Sequence, residues 1–341
     1  MTLWIIIALF FSMSAAHDDT AACWPAVPRI IDAHVHLISL HDGISYSWAA
    51  PPLPNMSCPC VFPSGVPCLC SWTYAHYKTA SQSSFSPASL LKIVFVEVAA
   101  RPEQWLQEAR WVQGMADEGA APIAAIVAAA PIGFGEPASH DALIAASLDE
   151  LAALPLARGI RAAALNFSDA AAFASTVKHT GMLAARLLSL DVITAVHAPG
   201  VADAIARLAA AVPAATIILN HMGSPDVHDP SSFHAWARAM AEIAAQDNVF
   251  VKLGGLLQYF KRDDSLPSAQ QLAPYVHTVL QHFGFRRCMF ESNWFFINWS
   301  GRMSVYEHWV ASLRSLLHAP PHHLQQLFSS SAEIAYRISA E

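Results

Sequence analysis

Charge is scarce in this chain. Asp, Glu, Lys and Arg make up 13% of its 341 residues, about half the share usual in soluble domains. No block of Lys or Arg is present, which argues against a nucleic-acid or anionic-membrane partner. Mean hydropathy is high at +0.34. Even so, no internal run approaches the ~18 consecutive apolar residues of a membrane span. Asp, Arg, His and Gly interrupt the alanine-rich stretches. No Gly-x-Gly-x-x-Gly follows a candidate strand, so a dinucleotide-binding open sheet lacks support. What the chain has in quantity is apolar residues, 54%, and histidine, 17 against 19 Lys plus Arg, with a net charge of −7. Histidine is the commonest metal ligand and the usual proton carrier near neutrality. The length suits one large barrel-class domain or two ordinary ones.

The N-terminus reads as a secretory signal peptide over residues 1–16. An apolar run, Leu3 to Phe11, is followed by Ser14-Ala15-Ala16 and then by polar His17-Asp18-Asp19, a small-x-small cleavage pattern. A basic n-region is missing, and an uncleaved anchor is the alternative. The expectation is a secreted protein or one of the endomembrane lumen, with no membrane contact after signal removal. Sequons at Asn55, Asn166 and Asn298 agree with that route. Cys58-Pro59-Cys60 and Cys68-Leu69-Cys70 lie in a Cys/Pro/Ser-rich insert at about 37–88. Four thiols so close could hold zinc, but the spacing is not a standard zinc pattern. Two loop disulfides are the better reading in an oxidising compartment. Spacing leaves their pairing open.

From residue 29 onward, short β-branched runs alternate with helical stretches. Strands are expected at Arg29–His36, Leu91–Glu97, Ile123–Val127, Gly159–Leu165, Asp191–His197, Ala215–His221, Asn248–Leu253 and Arg287–Glu291. Helical spacing marks 102–117, 140–154, 169–189, 203–211, 232–246, 268–283, 303–317 and 321–337. The stretch from about 37 to 88 is too long for an ordinary connection and reads as a lid or binding loop. Eight strand–helix units over 29–338 predict an α/β fold, a (β/α)8 TIM barrel.

Active sites of such barrels lie at the C-terminal strand ends. Those positions hold His34 and His36, Glu97, Arg161, His197, His221, Lys252, and Glu291 with Asn293. A lone histidine in an apolar strand is more often a hydrogen-bonded core residue, and Lys252 could be an interior ion-pair partner. Four histidines and two carboxylates at the ends of one barrel point to a pocket. Two histidines at i and i+2, with a third from another strand, can share one metal, and a carboxylate can deprotonate its water.

The segments IIDAHVHL (30–37), RGIR (158–161), LNHMGSP (219–225), VFVKLGGL (249–256), CMFESNW (288–294) and LFSSSAEIAYRI (327–338) resemble the amidohydrolase-related family of metal-dependent hydrolases. That group includes fuconolactonase-like and pyrone-dicarboxylate lactonases and some decarboxylases. The resemblance implies a barrel with its site at the strand C-termini. It implies first-strand ligands at His34 and His36, a fifth-strand histidine at His197 and a sixth-strand histidine at His221. The family's eighth-strand Asp falls on Asn293, a neutral amide with no basic lone pair. Glu291 is the substitute base.

The resemblance thus implies a hydrolase acting on a lactone or another cyclic ester or amide, a small-molecule substrate. His221 and Arg161 would stabilise the oxyanion, and Glu291 or His197 would activate water. Glu97, Lys252, Trp72 and Tyr74 are the expected substrate contacts. Trp48 and Tyr77 are further rings of the insert that could cover a ring-shaped substrate, or simply pack a long loop. One divalent ion, zinc or manganese, on His34, His36 and His197 is one version; a metal-independent site is the other. A metal-dependent decarboxylase and a catalytically silent binding barrel are the alternatives.

Overall fold

A computed structural model describes residues 27–339 except 49, 52–53, 55–56, 59, 61–67, 130–137, 163–164, 166, 168, 261–265 and 301–304. The signal-peptide segment 1–16, Cys23, Asn55 and Asn166 lie outside the described residues.

Eight parallel strands follow one another around the molecule in chain order. They are β1 Arg29–Val35, β2 Leu90–Val96, β3 Ile123–Ala129, β4 Ala157–Ala162, β5 Ser189–Val192, β6 Ile217–Leu219, β7 Val249–Leu253 and β8 Cys288–Phe290. The turn after β8 returns to β1. Asn293 N donates to His34 O at 3.0 Å, and His36 N donates to Trp294 O at 2.6 Å. The (β/α)8 expectation therefore holds.

Helices alternate with the strands and carry apolar stripes against them. In α6, Phe233–Ala244, Trp236, Met240 and Ile243 fall at i, i+4 and i+7 and are buried, as an amphipathic helix requires. In α7, Ala269–Phe283, Ser268 N donates to Gln271 Oε1 at 2.9 Å. That capping box fixes the helix start. The remaining helices are α2 Trp105–Asp117, α3 Asp141–Ala152, α4 Ala170–Ala185, α5 Val201–Ala211, α8 Val305–Leu316, α9 Pro321–Gln325 and α10 Ser331–Tyr336. The bore is filled by Ile31, Ala33, Val94, Val96, Ala125, Val127, Ile218 and Met289. A larger apolar shell lies between strands and helices. Among the described residues, no helix is long and apolar enough to cross a membrane.

Three expectations need correction. Six of the strands end earlier than expected, most of all β5, which stops at Val192, whereas β7 ends at Leu253 as expected and β3 runs on to Ala129. Its last ladder bond is Asn220 N to Val192 O at 2.9 Å, so His197 sits five residues beyond the strand, in a turn. The insert is also not all loop. It contains α1, Tyr74–Ser81, whose start is held by His76 Nδ1 accepting from Thr73 N at 3.2 Å. A histidine does the work usually done by Glu or Gln three residues past the cap, which hid the signal. Finally, the sequon residue Asn298 is fully buried, so a glycan there is incompatible with this packing.

The insert cysteines form two nested disulfides, Cys58–Cys70 and Cys60–Cys68. Just beyond them, Trp72 pairs with Ile38 through mutual backbone hydrogen bonds of 2.8 and 3.0 Å. The insert is thus stapled to the chain leaving β1.

Candidate active site

Strand alternation alone would place His34 on the same side as Asp32. Asp32 faces outward, where its carboxylate accepts from Tyr77 Oη at 3.0 Å, Tyr306 Oη at 3.3 Å and Ser292 N at 2.9 Å. Burial raises its pKa to about 6, against the pull of those hydrogen bonds. The β1–β2 register shifts between Asp32 and Val35. Such a bulge re-aims side chains, and His34 and His36 turn into the bore.

His34 is the hub. Lys252 Nζ lies 3.3 Å from His34 Nδ1 and 2.7 Å from Asp191 Oδ2. Asp191 also accepts from Tyr336 Oη at 2.9 Å and Asn220 Nδ2 at 3.0 Å. On the other side of the ring, His34 Nε2 lies 3.1 Å from His36 Nε2, and His36 Nδ1 is 2.8 Å from Val96 O. A carbonyl only accepts, so His36 Nδ1 carries a proton. Burial, followed by the charge of Lys252 for His34 and of Arg161 for His36, holds both imidazoles well below their ordinary range. Both rings are therefore neutral. The hydrogen bonds then run one way, from Lys252 to His34, to His36, to Val96 O.

Glu291 joins this hub to His221. Its Oε1 lies 2.9 Å from His221 Nδ1 and accepts from His221 N at 3.1 Å. Its Oε2 is 3.0 Å from His34 Nδ1 but receives no hydrogen bond. The packing that allows this depends on two glycines after β7. A Cβ on Gly254 would come within 2.1 Å of Glu291 O, and one on Gly255, at φ +66°, within 2.3 Å of His221 Nδ1. Neither position can accept a side chain. They belong to the VFVKLGGL motif, the signal by which their role could have been found.

Arg161 leaves β4 toward the same centre. Its Nε and Nη2 both reach Glu97 Oε1 at 2.5 Å, and Nη2 donates to Glu97 O at 2.9 Å. Its Nη1 is 3.4 Å from His34 Nε2. That nitrogen of His34 already carries the proton it shares with His36, so Arg161 Nη1 is the guanidinium edge left for a ligand.

Asn293 is buried at φ +57°, a conformation Asn tolerates better than most residues. Its Nδ2 donates to Gln258 Oε1 at 2.9 Å, while its Oδ1 has no partner. Gln258 and Asp191 did not stand out in the sequence. Gln258 lies in a short turn after β7 with no motif of its own. Asp191 could have been found as a carboxylate inside an apolar strand, as Asp32 is in β1.

Four expected site residues are placed otherwise. Trp72 is fully buried, stacked on Phe295 with centroids 4.7 Å apart. Tyr74 stacks on Tyr77 and lines a cleft with Leu90 and Leu91 at the start of β2, the barrel end opposite the site. Lys252 is wholly buried, with its charge on Asp191. His197, on the loop after β5, is half-buried and its Nδ1 has no partner. Among the described residues, the barrel group whose ligand atoms converge is His34, His221 and Glu291, not His34, His36 and His197.

That group fits a divalent cation. A buried carboxylate oxygen without a donor, 3.0 Å from a ring nitrogen that presents its lone pair, leaves two electron-rich atoms facing one another. Asn293 Oδ1 is a second buried oxygen without a donor. Mixed N and O donors of this kind suit zinc or manganese.

The amidohydrolase family model matches residues 31–338. L-Fucono-1,5-lactonase from Burkholderia ambifaria is 31% identical over 186 residues, 54% of this chain and 61% of that protein. An amidohydrolase from Burkholderia multivorans, solved with bound zinc, is 18% identical with a TM-score of 0.66, covering 91% of this chain and 99% of its own. A structure from Pseudomonas putida described as a candidate 2-pyrone-4,6-dicarboxylic acid hydrolase is 18% identical with a TM-score of 0.59, covering 92% and 98%.

Proposed function

Since the chain belongs to the amidohydrolase family, we propose that it is a hydrolase that opens a lactone by water attack on the ring carbonyl. The observation that carries this is the buried Glu291–His221 pair, set 2.9 Å apart beside the Arg161 edge. A carboxylate that accepts a hydrogen bond from the Nδ1–H of an imidazole fixes the tautomer and leaves Nε2 with its lone pair. His221 Nε2 then removes a proton from the attacking water, and Arg161 Nη1 receives the developing oxyanion. As the ring C–O bond breaks, His221 returns its proton to the leaving alkoxide. The product is an open hydroxy acid.

This arrangement does not depend on an aspartate at position 293. Asn293 holds Gln258 and presents a neutral oxygen, while proton transfer belongs to the Glu291–His221 pair. The lactonase relative supports the substrate class. The zinc-bound neighbour supports a divalent ion in a barrel of this kind; here His34 and Glu291 would hold one, leaving His221 Nε2 as the base, and it would add Lewis-acid polarisation of the carbonyl.

The test is hydrolysis of L-fucono-1,5-lactone, δ-valerolactone and dihydrocoumarin by the purified protein. Acid release is followed with a pH indicator after chelation and after addition of zinc or manganese. Turnover that disappears in Glu291→Gln is expected. Absence of turnover in every metal state would refute the proposal, and carbon dioxide release from carboxylated aromatics would point to decarboxylation instead.

A further inference from the structure

Lys252 puts a cation at the atom that a metal would have to claim. Its Nζ lies 3.3 Å from His34 Nδ1, and Glu291 Oε2 lies 3.0 Å from the same nitrogen. An ammonium has only donors to offer, so Lys252 points a proton at the lone pair that would hold an ion beside Glu291. All three side chains are fully buried, and charges act strongly on one another where water is excluded. The lysine has a firmer partner behind it. Asp191 Oδ2 is 2.7 Å from Nζ, and that carboxylate is fixed by Tyr336 Oη at 2.9 Å, Asn220 Nδ2 at 3.0 Å and Ser189 Oγ at 3.3 Å. Among the described residues of the bore, Arg161 sits on Glu97 and Lys252 on Asp191, while Glu291 has neither a Lys nor an Arg. Glu291 is thus where one more positive charge is wanted, and Lys252 stands at its entrance.

We propose that Lys252 is a positioning residue that competes with a divalent ion for His34 Nδ1, setting the ring in the tautomer an ion needs while lowering the affinity for that ion; this rests on the metal reading of His34 and Glu291 above and not on turnover. The tautomer follows from the contacts. With Nδ1 turned to Lys252, His34 keeps its proton on Nε2, directed at His36. An ion on Nδ1 requires the same proton placement, so the ring need not turn. What must give way is the hydrogen bond from Lys252, the longer of its two polar contacts, and the ammonium would then rest on Asp191 alone. Its charge still repels the ion across a dry interior.

The measurement is zinc binding to the purified full chain after chelation, in competition with a chromophoric chelator and without reductant. Removal of the ion pair as a unit, in Lys252→Met/Asp191→Asn, should tighten zinc at least ~10-fold. Lys252→Gln/Asp191→Asn keeps polar groups in both places and should tighten it as well, which covers a failure of the first variant to fold. A merely structural role predicts the reverse, since a loosened bore loses ligand geometry. Glu291→Gln in each background marks the site: the tight event must disappear with it, which separates this ion from zinc on surface histidines. Equal or weaker binding in the folded double variants would overturn the competition and leave the metal reading intact. If Glu291→Gln changes zinc binding in no background, no ion sits on this pair, and the metal reading and the proposal fall together. Lactone opening by the chelated protein is a separate result that neither outcome alters.

Discussion

The floor of the barrel mouth and the wall that flanks it are built from different materials. The floor comes from five strand ends and places His34, His36, Arg161, His221, Lys252 and Glu291 within one hydrogen-bonded cluster. The wall comes from the insert and the turn after β8 and is made of stacked rings. In the floor Arg161 is held by Glu97 and Lys252 by Asp191, so that part of its geometry is specified by pairs, and removal of one member exposes the other to a dry interior. In the wall the directional side-chain contacts are those of the two indoles, Trp48 to Val98 O and Trp72 to Cys68 O, and rings can be exchanged for rings at smaller cost.

That contrast can be broken most severely at Lys252. Lys252→Met leaves Asp191 charged, buried and without its cation. Urea denaturation should show a loss of about 3–5 kcal/mol, with much of it recovered when Asp191→Asn is added. Recovery is the sharper readout, since a packing defect alone would worsen with the second change.

Next is Glu291→Gln. An amide carries no charge to stabilise the protonated ring, and its NH2 can donate to Nδ1 and favour the wrong tautomer of His221. We expect kcat/KM for any lactone turned over to fall ~10³-fold, with far-UV circular dichroism unchanged.

A smaller effect tests the boundary between floor and wall. Glu108, on α2 behind Glu97, is fully buried, and burial together with the Glu97 charge pushes its pKa up to about 8. The unfolded carboxyl, near 4.5, binds fewer protons than the folded one between those values. Stability therefore falls as pH rises through that window. The wild type should lose roughly 1.5–2 kcal/mol between pH 6.5 and 8 from this group, and Glu108→Gln should flatten that slope. Chemical denaturation at several pH values measures it; an unchanged slope would remove Glu108 as its source.

The smallest change is expected from the insert staple. Reduction of Cys58–Cys70 and Cys60–Cys68 by a dithiol should quicken protease cleavage within 50–69 about tenfold and leave the barrel's far-UV spectrum in place, because the opening is local. Barrel unfolding at the same dithiol concentration would mean the insert is part of the floor's stability after all.

Much of this was legible without coordinates. The eight hydrophobic runs and the helices between them specified the barrel, because period 2 and period 3.6 are local properties of the chain. The same periodicity put the charged site residues Glu97, Arg161, Lys252 and Glu291 at or near strand ends. Their partners were not legible. Lys252 was open to two readings, substrate contact or interior ion pair, and the partner that makes it the second is Asp191, from a strand two places away. His197 looked like a ligand while its strand was thought to reach it, but β5 loses its ladder partners at Val192. Trp72 and Tyr74 looked alike as rings of one insert, yet one is core and the other faces the far end of the barrel.

By itself the sequence determined the strand–helix alternation, the family, and the set of histidines and carboxylates available at the mouth. Those depend on residue identity and short-range spacing. Only the tertiary structure decided which way His34 points, through a register shift between Asp32 and Val35 that no local pattern encodes. It also decided that Glu291 lies against His221, that the cysteines pair as nested bridges, and that Trp48 of the insert packs on Phe296 after β8. Each of these is a contact between residues far apart in the chain, and its geometry exists only once the barrel has closed around it.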